Sequence, residues 1–250
     1  IKDKRLLEEL ETDGGIRREV LRRGHHLSLS SRTELLVLHP SGDAYVKGIG
    51  HNQIIDQNNN SVVIKLRTPN HAILFTGDID REAQMELVRQ HSLLADDLDG
   101  VIDGIQGNLD KGLNRSLASQ AVSGNKALQV KRQASLHERF GITADLLKIP
   151  HHGSREALVY SFLGTVSPKE TVISVGTNPF GHPAPEFLNA LKLVTGKMPW
   201  RTDLMGSIRV RIWGKYLRID PYHGQPFYRI GNWQIVRGWE MRIRHMFGRV

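Results

Sequence analysis

Three short stretches of this 250-residue chain concentrate side chains able to do chemistry, and each follows an apolar run of strand length. Ile73-Leu74-Phe75 leads into Thr76-Gly77-Asp78, where the glycine permits a sharp exit and leaves the Asp78 carboxylate beyond the strand end. Leu147-Lys148-Ile149 leads into Pro150-His151-His152-Gly153-Ser154, which delivers two adjacent imidazoles ahead of a Gly-Ser turn. A third strand ends in Val175-Gly176 and passes into Thr177-Asn178-Pro179-Phe180-Gly181-His182-Pro183. Layered α/β folds gather their sites at the carboxyl ends of strands. Adjacent histidines point in different directions, so one imidazole can bind a metal while the other faces substrate or a supporting partner. Taken singly, each stretch also reads as ordinary turn or surface chemistry. Together they place oxygen and nitrogen donors at three strand ends without a thiolate, a set suited to zinc or manganese.

The elements that must position these residues follow from pattern. Leu35–Leu38 is a short strand, and Ser61–Leu66 with Ala72–Phe75 forms a hairpin across Pro69-Asn70. Asp80 occupies an N-cap position before a helix that runs to about His91. Leu146–Ile149 and Thr171–Val175 are strands, Glu156–Leu163 is a helix with Gly164 past its end, and Pro185–Val194 is a helix closed by Gly196. Residues 1–23 read as a helix, a turn and a second short helix. Residues 92–143 read as a partly helical, mobile insertion; Asp97, Asp99 and Gly100 there lack the downstream glutamate of a calcium loop. After Gly206 come short β segments at Ser207–Trp213, Tyr216–Ile219, Phe227–Ile230 and Trp233–Val236. Helices alternating with strands, plus hairpins, predict an α/β architecture of packed layers.

Composition narrows the classes further. Hydrophobic residues at 39% and charged residues at 24% exclude a disordered or fibrous chain, and no apolar run reaches the length of a membrane span. With no cysteine there is no disulfide framework and no cysteine nucleophile. The balance of 34 Lys+Arg against 26 Asp+Glu gives +8, which favours anionic partners. No signal-peptide pattern is present, and the start on Ile1 suggests the interior of a longer protein.

The ordered set Asn-Asn-Asn-Ser (58–61), Thr-Gly-Asp (76–78), Pro-His-His-Gly-Ser (150–154), Ile-Ser-Val-Gly (173–176), Gly-His-Pro (181–183) and Arg-Thr-Asp (201–203) resembles one branch of the metallo-β-lactamase superfamily. That branch comprises the hydrolase domain of ComEC-type DNA-uptake competence proteins and their free-standing relatives. The resemblance covers roughly residues 35–90 and 144–210. It implies an αββα sandwich over 1–206, followed by a β-rich basic segment over 207–250, and a hydrolase acting on phosphodiesters, DNA in particular. It further implies a divalent metal, zinc or manganese, as two ions in the complete protein. Asp78 is then the carboxylate bridging the ions and His152 a metal ligand, with His151 beside it facing substrate or serving as an alternative ligand. Asn58 and Asn60 line the site where many members carry another histidine, His182 sits on the rim, and Ser154 and Asn178 face the substrate. The superfamily's first motif, His-x-His-x-Asp-His, is absent from these 250 residues, and His25-His26 does not supply it. The expectation is that the motif precedes Ile1 on the natural chain. A ComEC-type parent would place the domain outside the cytoplasmic membrane, and a free-standing relative in the cytoplasm.

All four tryptophans lie between Trp200 and Trp239, and from Lys197 to Val250 eleven Lys and Arg face three acids. Basic residues interleaved with aromatics suit a phosphate backbone and stacked bases of single-stranded DNA. The same pattern suits a closing β layer with an aromatic core and solvated arginines. Two functions follow: a metal-dependent phosphodiesterase or nuclease, or a degenerate domain that binds nucleic acid or a protein partner.

Overall fold

The computed structural model describes residues 20–42, 45–47, 54–110, 128 and 131–221. Burial rises from the fully exposed edge strand inward across the first part of the sheet. β1 (His26–Ser30) pairs antiparallel with β2 (Thr33–His39), β2 with β5 (Val63–Arg67), and β5 with β6 (Ala72–Phe75). The β5–β6 hairpin is the one expected, with Ile64 opposite Phe75 and Arg67 opposite Ala72. From β6 the sheet continues in parallel through β7 (Leu146–Lys148), β8 (Glu170–Ile173) and β9 (Trp200–Arg201). The result is one seven-stranded mixed sheet in the order β1-β2-β5-β6-β7-β8-β9. Two further ribbons stand apart from it: β3 (Val46–Lys47) with β4 (Ile54–Ile55), and β10 (Ile208–Trp213) with β11 (Tyr216–Pro221). The α/β class is therefore established.

Helices α1 (Arg81–Asp110), α2 (Tyr160–Val166) and α3 (Pro185–Thr195) pack in sequence, α1 on α2 and α2 on α3, with the one-turn α4 (Thr202–Met205) after β9. Leu36, Leu38, Leu74, Leu147 and Ile173 of the sheet meet Ile79, Leu87, Phe162 and Phe187 in a single apolar core. One row across the sheet contains an exception. Register aligns Leu36, Lys65, Leu74, Leu147 and Thr171, so a lysine only 2% exposed sits among aliphatic neighbours. Its Nζ donates to the carbonyls of Glu138 and Gly141, each at 2.8 Å, at the end of the helical stretch 131–140. Carbonyls at a helix carboxyl end carry partial negative charge, which is what a buried ammonium requires. Burial still lowers the Lys65 pKa to about 8; Arg67 lowers it further, against Glu138, Asp145 and Glu34.

Several expected boundaries move. The helix after Asp80 continues past His91 to Asp110, so residues 97–100 are helical and cannot form a calcium loop. Glycines at 100 and 104 dilute the apolar periodicity there, yet Leu94, Leu98 and Ile102 recur every four residues. The helix expected over Glu156–Leu163 divides into a 3₁₀ turn, Arg155–Ala157, and α2, because Leu158 and Val159 are extended. Gly164 lies inside α2, and the left-handed Ser167 (φ 47°) closes it. α3 ends where expected, at Gly196 with φ 69°. Strand β8 stops at Ile173 because Ser174 and Val175 turn their backbone groups to His152 and Thr202. Residues 20–22 carry no helix. The expected helices over 1–19 and the strands at Phe227–Ile230 and Trp233–Val236 fall outside the described residues. Among the described residues, no helix is long and apolar enough to cross a membrane.

Candidate functional site

Beyond the carboxyl ends of β6, β7 and β8 the chain makes three turns, and their geometry brings the expected residues together. Gly77 has φ +57°, and a Cβ there would stand 2.7 Å from Ser61 Cβ, so only glycine lets the Thr76–Asp78 turn press against the 58–61 segment. Ser61 Oγ accepts from the Asp78 N–H at 3.2 Å, which leaves the Asp78 carboxylate projecting from the turn. After β7, His151 (φ 44°, ψ 45°) and His152 (φ 55°, ψ 17°) are consecutive non-glycine residues in the left-handed region. Strain of this kind costs about 1–3 kcal/mol per residue and concentrates where a fold serves a site. The next residue, Gly153 (φ +78°), approaches Pro183 so closely that a Cβ would fall 2.8 Å from Pro183 Cβ. Its carbonyl accepts from Ala184 N–H at 2.9 Å, tying the His152 turn to the His182 loop.

The two histidines take different partners. His151 Nδ1–H donates to Asp80 Oδ1 at 2.7 Å, and Asn58 Nδ2 donates to Asp80 Oδ2 at 3.1 Å. Asn58 and Asp80 therefore fix the orientation of the His151 ring. His152 Nδ1–H donates to the Ser174 carbonyl at 2.6 Å, because a carbonyl can only accept. Its Nε2 then points at Asp78 Oδ2, 3.6 Å away, so the two residues expected to share a metal lie side by side. The ring of His182 lies 5.8 Å from that of His151, edge to face, and stacks on Phe180, which is 76% exposed at the rim. Burial, reinforced by the neighbouring His151 and His152, lowers the His182 pKa.

Three of the expected site residues are occupied elsewhere. Asn60 donates to the carbonyls of Tyr45 and Asp56 and accepts from Tyr45 N–H, so its amide holds the 45–60 loop together. Ser154 is buried, and its hydroxyl accepts from Glu156 N–H at the start of the next turn. Asn178 donates to the carbonyls of Gly176 and His182 and accepts from the N–H groups of Phe180 and His182, clasping the loop that presents His182. The resemblance implies that Asn60 lines the site and that Ser154 and Asn178 face substrate; in the fold these groups also serve local turn chemistry.

Two residues carry roles that spacing did not reveal. Asp80 stands at the N-cap position, but Asn59 Oδ1 receives the N–H groups of Asp80 and Ala83 instead, at 3.0 and 3.2 Å. The carboxylate is thereby left to His151. Lys148, the last residue of β7, donates to Gly77 O at 2.8 Å and reaches Asp78 Oδ1 at 3.5 Å. Burial lowers its pKa while Asp78 acts in the opposite direction.

A divalent cation can be tested against this donor set. With Nδ1–H held by Ser174 O, the His152 ring presents Nε2 toward Asp78 Oδ2 at 3.6 Å, so a cation between them would meet one ring nitrogen and one carboxylate oxygen. A backbone carbonyl receiving the other ring N–H is the usual support of a metal-binding histidine. The pair therefore fits one cation. The opposite oxygen of Asp78 faces the Lys148 ammonium, so the carboxylate has one open donor direction. Among the described residues no group of three or more His, Asp or Glu side chains converges as a metal cluster. No family model matches the chain, and no match was found among curated proteins.

Proposed function

We propose that this chain is a metallo-β-lactamase-type hydrolase domain acting on phosphodiesters, DNA in particular, with Asp78 and His152 holding a divalent cation. The observation that carries this reading is the His152 ring. Its Nδ1–H is committed to Ser174 O at 2.6 Å while its Nε2 faces Asp78 Oδ2 at 3.6 Å. A bound divalent ion would supply Lewis acidity toward a phosphate ester. The chain's own residues supply orientation and charge. Asp80 and Asn58 hold His151 through its Nδ1, which leaves Nε2 as a proton acceptor or a donor to a phosphate oxygen. Lys148 adds a positive charge beside Asp78, and His182 offers a hydrogen bond from the rim. In this reading Asp78 and His152 would hold one ion, with the Lys148 ammonium beside the other Asp78 oxygen.

A second reading is favoured by a specific count: two donors converge among the described residues, whereas a catalytic zinc has three protein ligands. In that reading the domain is catalytically degenerate and binds nucleic acid or a protein. Titration of Mn²⁺ and Zn²⁺ into the 250-residue chain, with phosphodiester hydrolysis followed in parallel, decides between them. The hydrolase reading expects weak binding by this chain, lost in both Asp78→Ala and His152→Ala, with any turnover falling at least about 100-fold in Asp78→Ala. Binding that survives both substitutions, or turnover indifferent to Asp78, removes it.

A further inference from the structure

The Arg-Thr-Asp stretch at 201–203 stands far from the cation pair in sequence, yet one peptide group joins its threonine to the His152 ring. β9 pairs with β8 as far as Ile173 opposite Arg201, and the chain then coils into α4. Beyond that point Val175, 8% exposed, takes its partner from a side chain instead of a strand. Thr202 Oγ1 accepts from Val175 N–H at 2.7 Å and donates to Val175 C=O at 2.7 Å, nearer than Ile173 O at 3.4 Å. A hydroxyl has one proton and two lone pairs, so it fills both roles of a ladder partner at once. Arg201 Nε donates to Asp203 Oδ1 at 3.1 Å and Nη2 to Oδ2, which braces the corner on both sides of Thr202.

Val175 N–H and Ser174 C=O belong to the same planar trans peptide, whose two polar groups point in opposite directions. With the N–H directed at Thr202, the carbonyl is directed across the strand at His152, whose Nδ1–H it receives at 2.6 Å. Hydrogen bonds in such a chain polarise one another, so the bond on the amide edge strengthens the carbonyl as an acceptor. Ser174 itself is exposed, so its own packing does little to fix the peptide. What the chain settles is a choice between two ring tautomers. Nδ1–H on Ser174 O leaves Nε2 open toward Asp78 Oδ2. The other tautomer would turn an Nε2–H on that same oxygen and close the space between them.

We propose that Thr202 is a positioning residue for His152: its hydroxyl fixes the Ser174–Val175 peptide, and that peptide holds the imidazole in the Nδ1–H form that offers Nε2 to a cation. The purpose of this device rests on the Asp78–His152 reading, but the device itself is tested without a metal. Ring ¹⁵N spectra of the 250-residue chain in EDTA at pH 8.5, with His152→Gln to assign the signal, report the tautomer. The parent should show His152 as Nδ1–H. Thr202→Val, which keeps the shape and removes the hydroxyl, should shift it toward Nε2–H, and Thr202→Ser should match the parent. His151, held separately by Asp80, should be unchanged in both, which a general loosening of the fold would not allow. In a parallel Mn²⁺ titration Thr202→Val should bind about 3- to 10-fold more weakly than the parent, with Thr202→Ser restored; removing a ligand's direct partner typically costs roughly 10- to 100-fold. A parent His152 found as Nε2–H overturns the proposal without any variant. So does a tautomer unchanged in Thr202→Val, one altered in Thr202→Ser, a His151 signal that moves with it, or equal Mn²⁺ affinity in parent and Thr202→Val. Absence of Mn²⁺ binding by the parent would remove the cation reading and leave Thr202 to be decided by the nitrogen spectra.

Discussion

Lys65 on β5 and Lys148 on β7 are both withdrawn from solvent and both donate to backbone carbonyls, yet their surroundings differ in kind. The Lys65 ammonium is enclosed by two helix-end carbonyls and has no carboxylate in contact, so it ends a helix and seals one flank of the core. The Lys148 ammonium has one carbonyl and then Asp78, whose other oxygen faces His152. The first arrangement is closed in its hydrogen bonding. The second leaves the Asp78 carboxylate between Lys148 and His152, beside a turn in which two consecutive non-glycine residues have positive φ. Withdrawal of an ammonium from solvent therefore does not fix its purpose; the partners decide it.

The contrast can be broken most forcefully at Lys65. Its folded pKa of about 8 lies below the ordinary 10.5 of the unfolded chain, so the unfolded state binds more protons between those values. Stability should therefore rise as pH climbs from 8 to 10.5, by on the order of 3 kcal/mol for this group. Denaturant unfolding of the parent chain and Lys65→Met at both ends of that window should show the difference moving in the parent's favour by this amount. An unchanged difference would mean that Lys65 is not buried as described.

A smaller effect is expected on the other flank. Gly77→Ala must fit a Cβ 2.7 Å from Ser61 at φ +57° and should cost about 2 kcal/mol in unfolding free energy, while also displacing Asp78. A melting temperature within a degree of the parent's would show that the turn can relax. The smallest effect belongs to Lys148→Met. Stability should change by less than about 1 kcal/mol, while Mn²⁺ binding at Asp78 strengthens about three- to tenfold, the effect of removing a unit charge roughly 6 Å from a divalent ion in water. Weaker binding would instead make Lys148 a support for the carboxylate.

What the sequence disclosed follows from how local each cause is. The β5–β6 hairpin and the end of α3 depend on turn residues a few positions apart, and both were legible. The meeting of Asp78 with His152 was legible because each ends a parallel strand in the same sheet. The Asp80–His151 bond joins residues 71 positions apart, and no spacing rule announces it. Lys65 was hidden for the same reason: its acceptors, Glu138 and Gly141, lie more than 70 residues away. Ser154, Asn60 and Asn178 also take part in hydrogen bonds with nearby backbone groups, which the order of motifs does not announce.

The cap of α1 bears on the order in which the molecule assembles. A thirty-residue helix whose first turn is satisfied by its own N-cap residue can begin before the rest of the chain arrives. Here the first turn waits for Asn59, which is 1% exposed and whose amide also reaches Asp56 and Glu82. Docking of the 56–60 segment, completion of the helix start and release of the Asp80 carboxylate toward His151 are one event. The His151 ring is thus aligned by folding itself, before any ligand arrives.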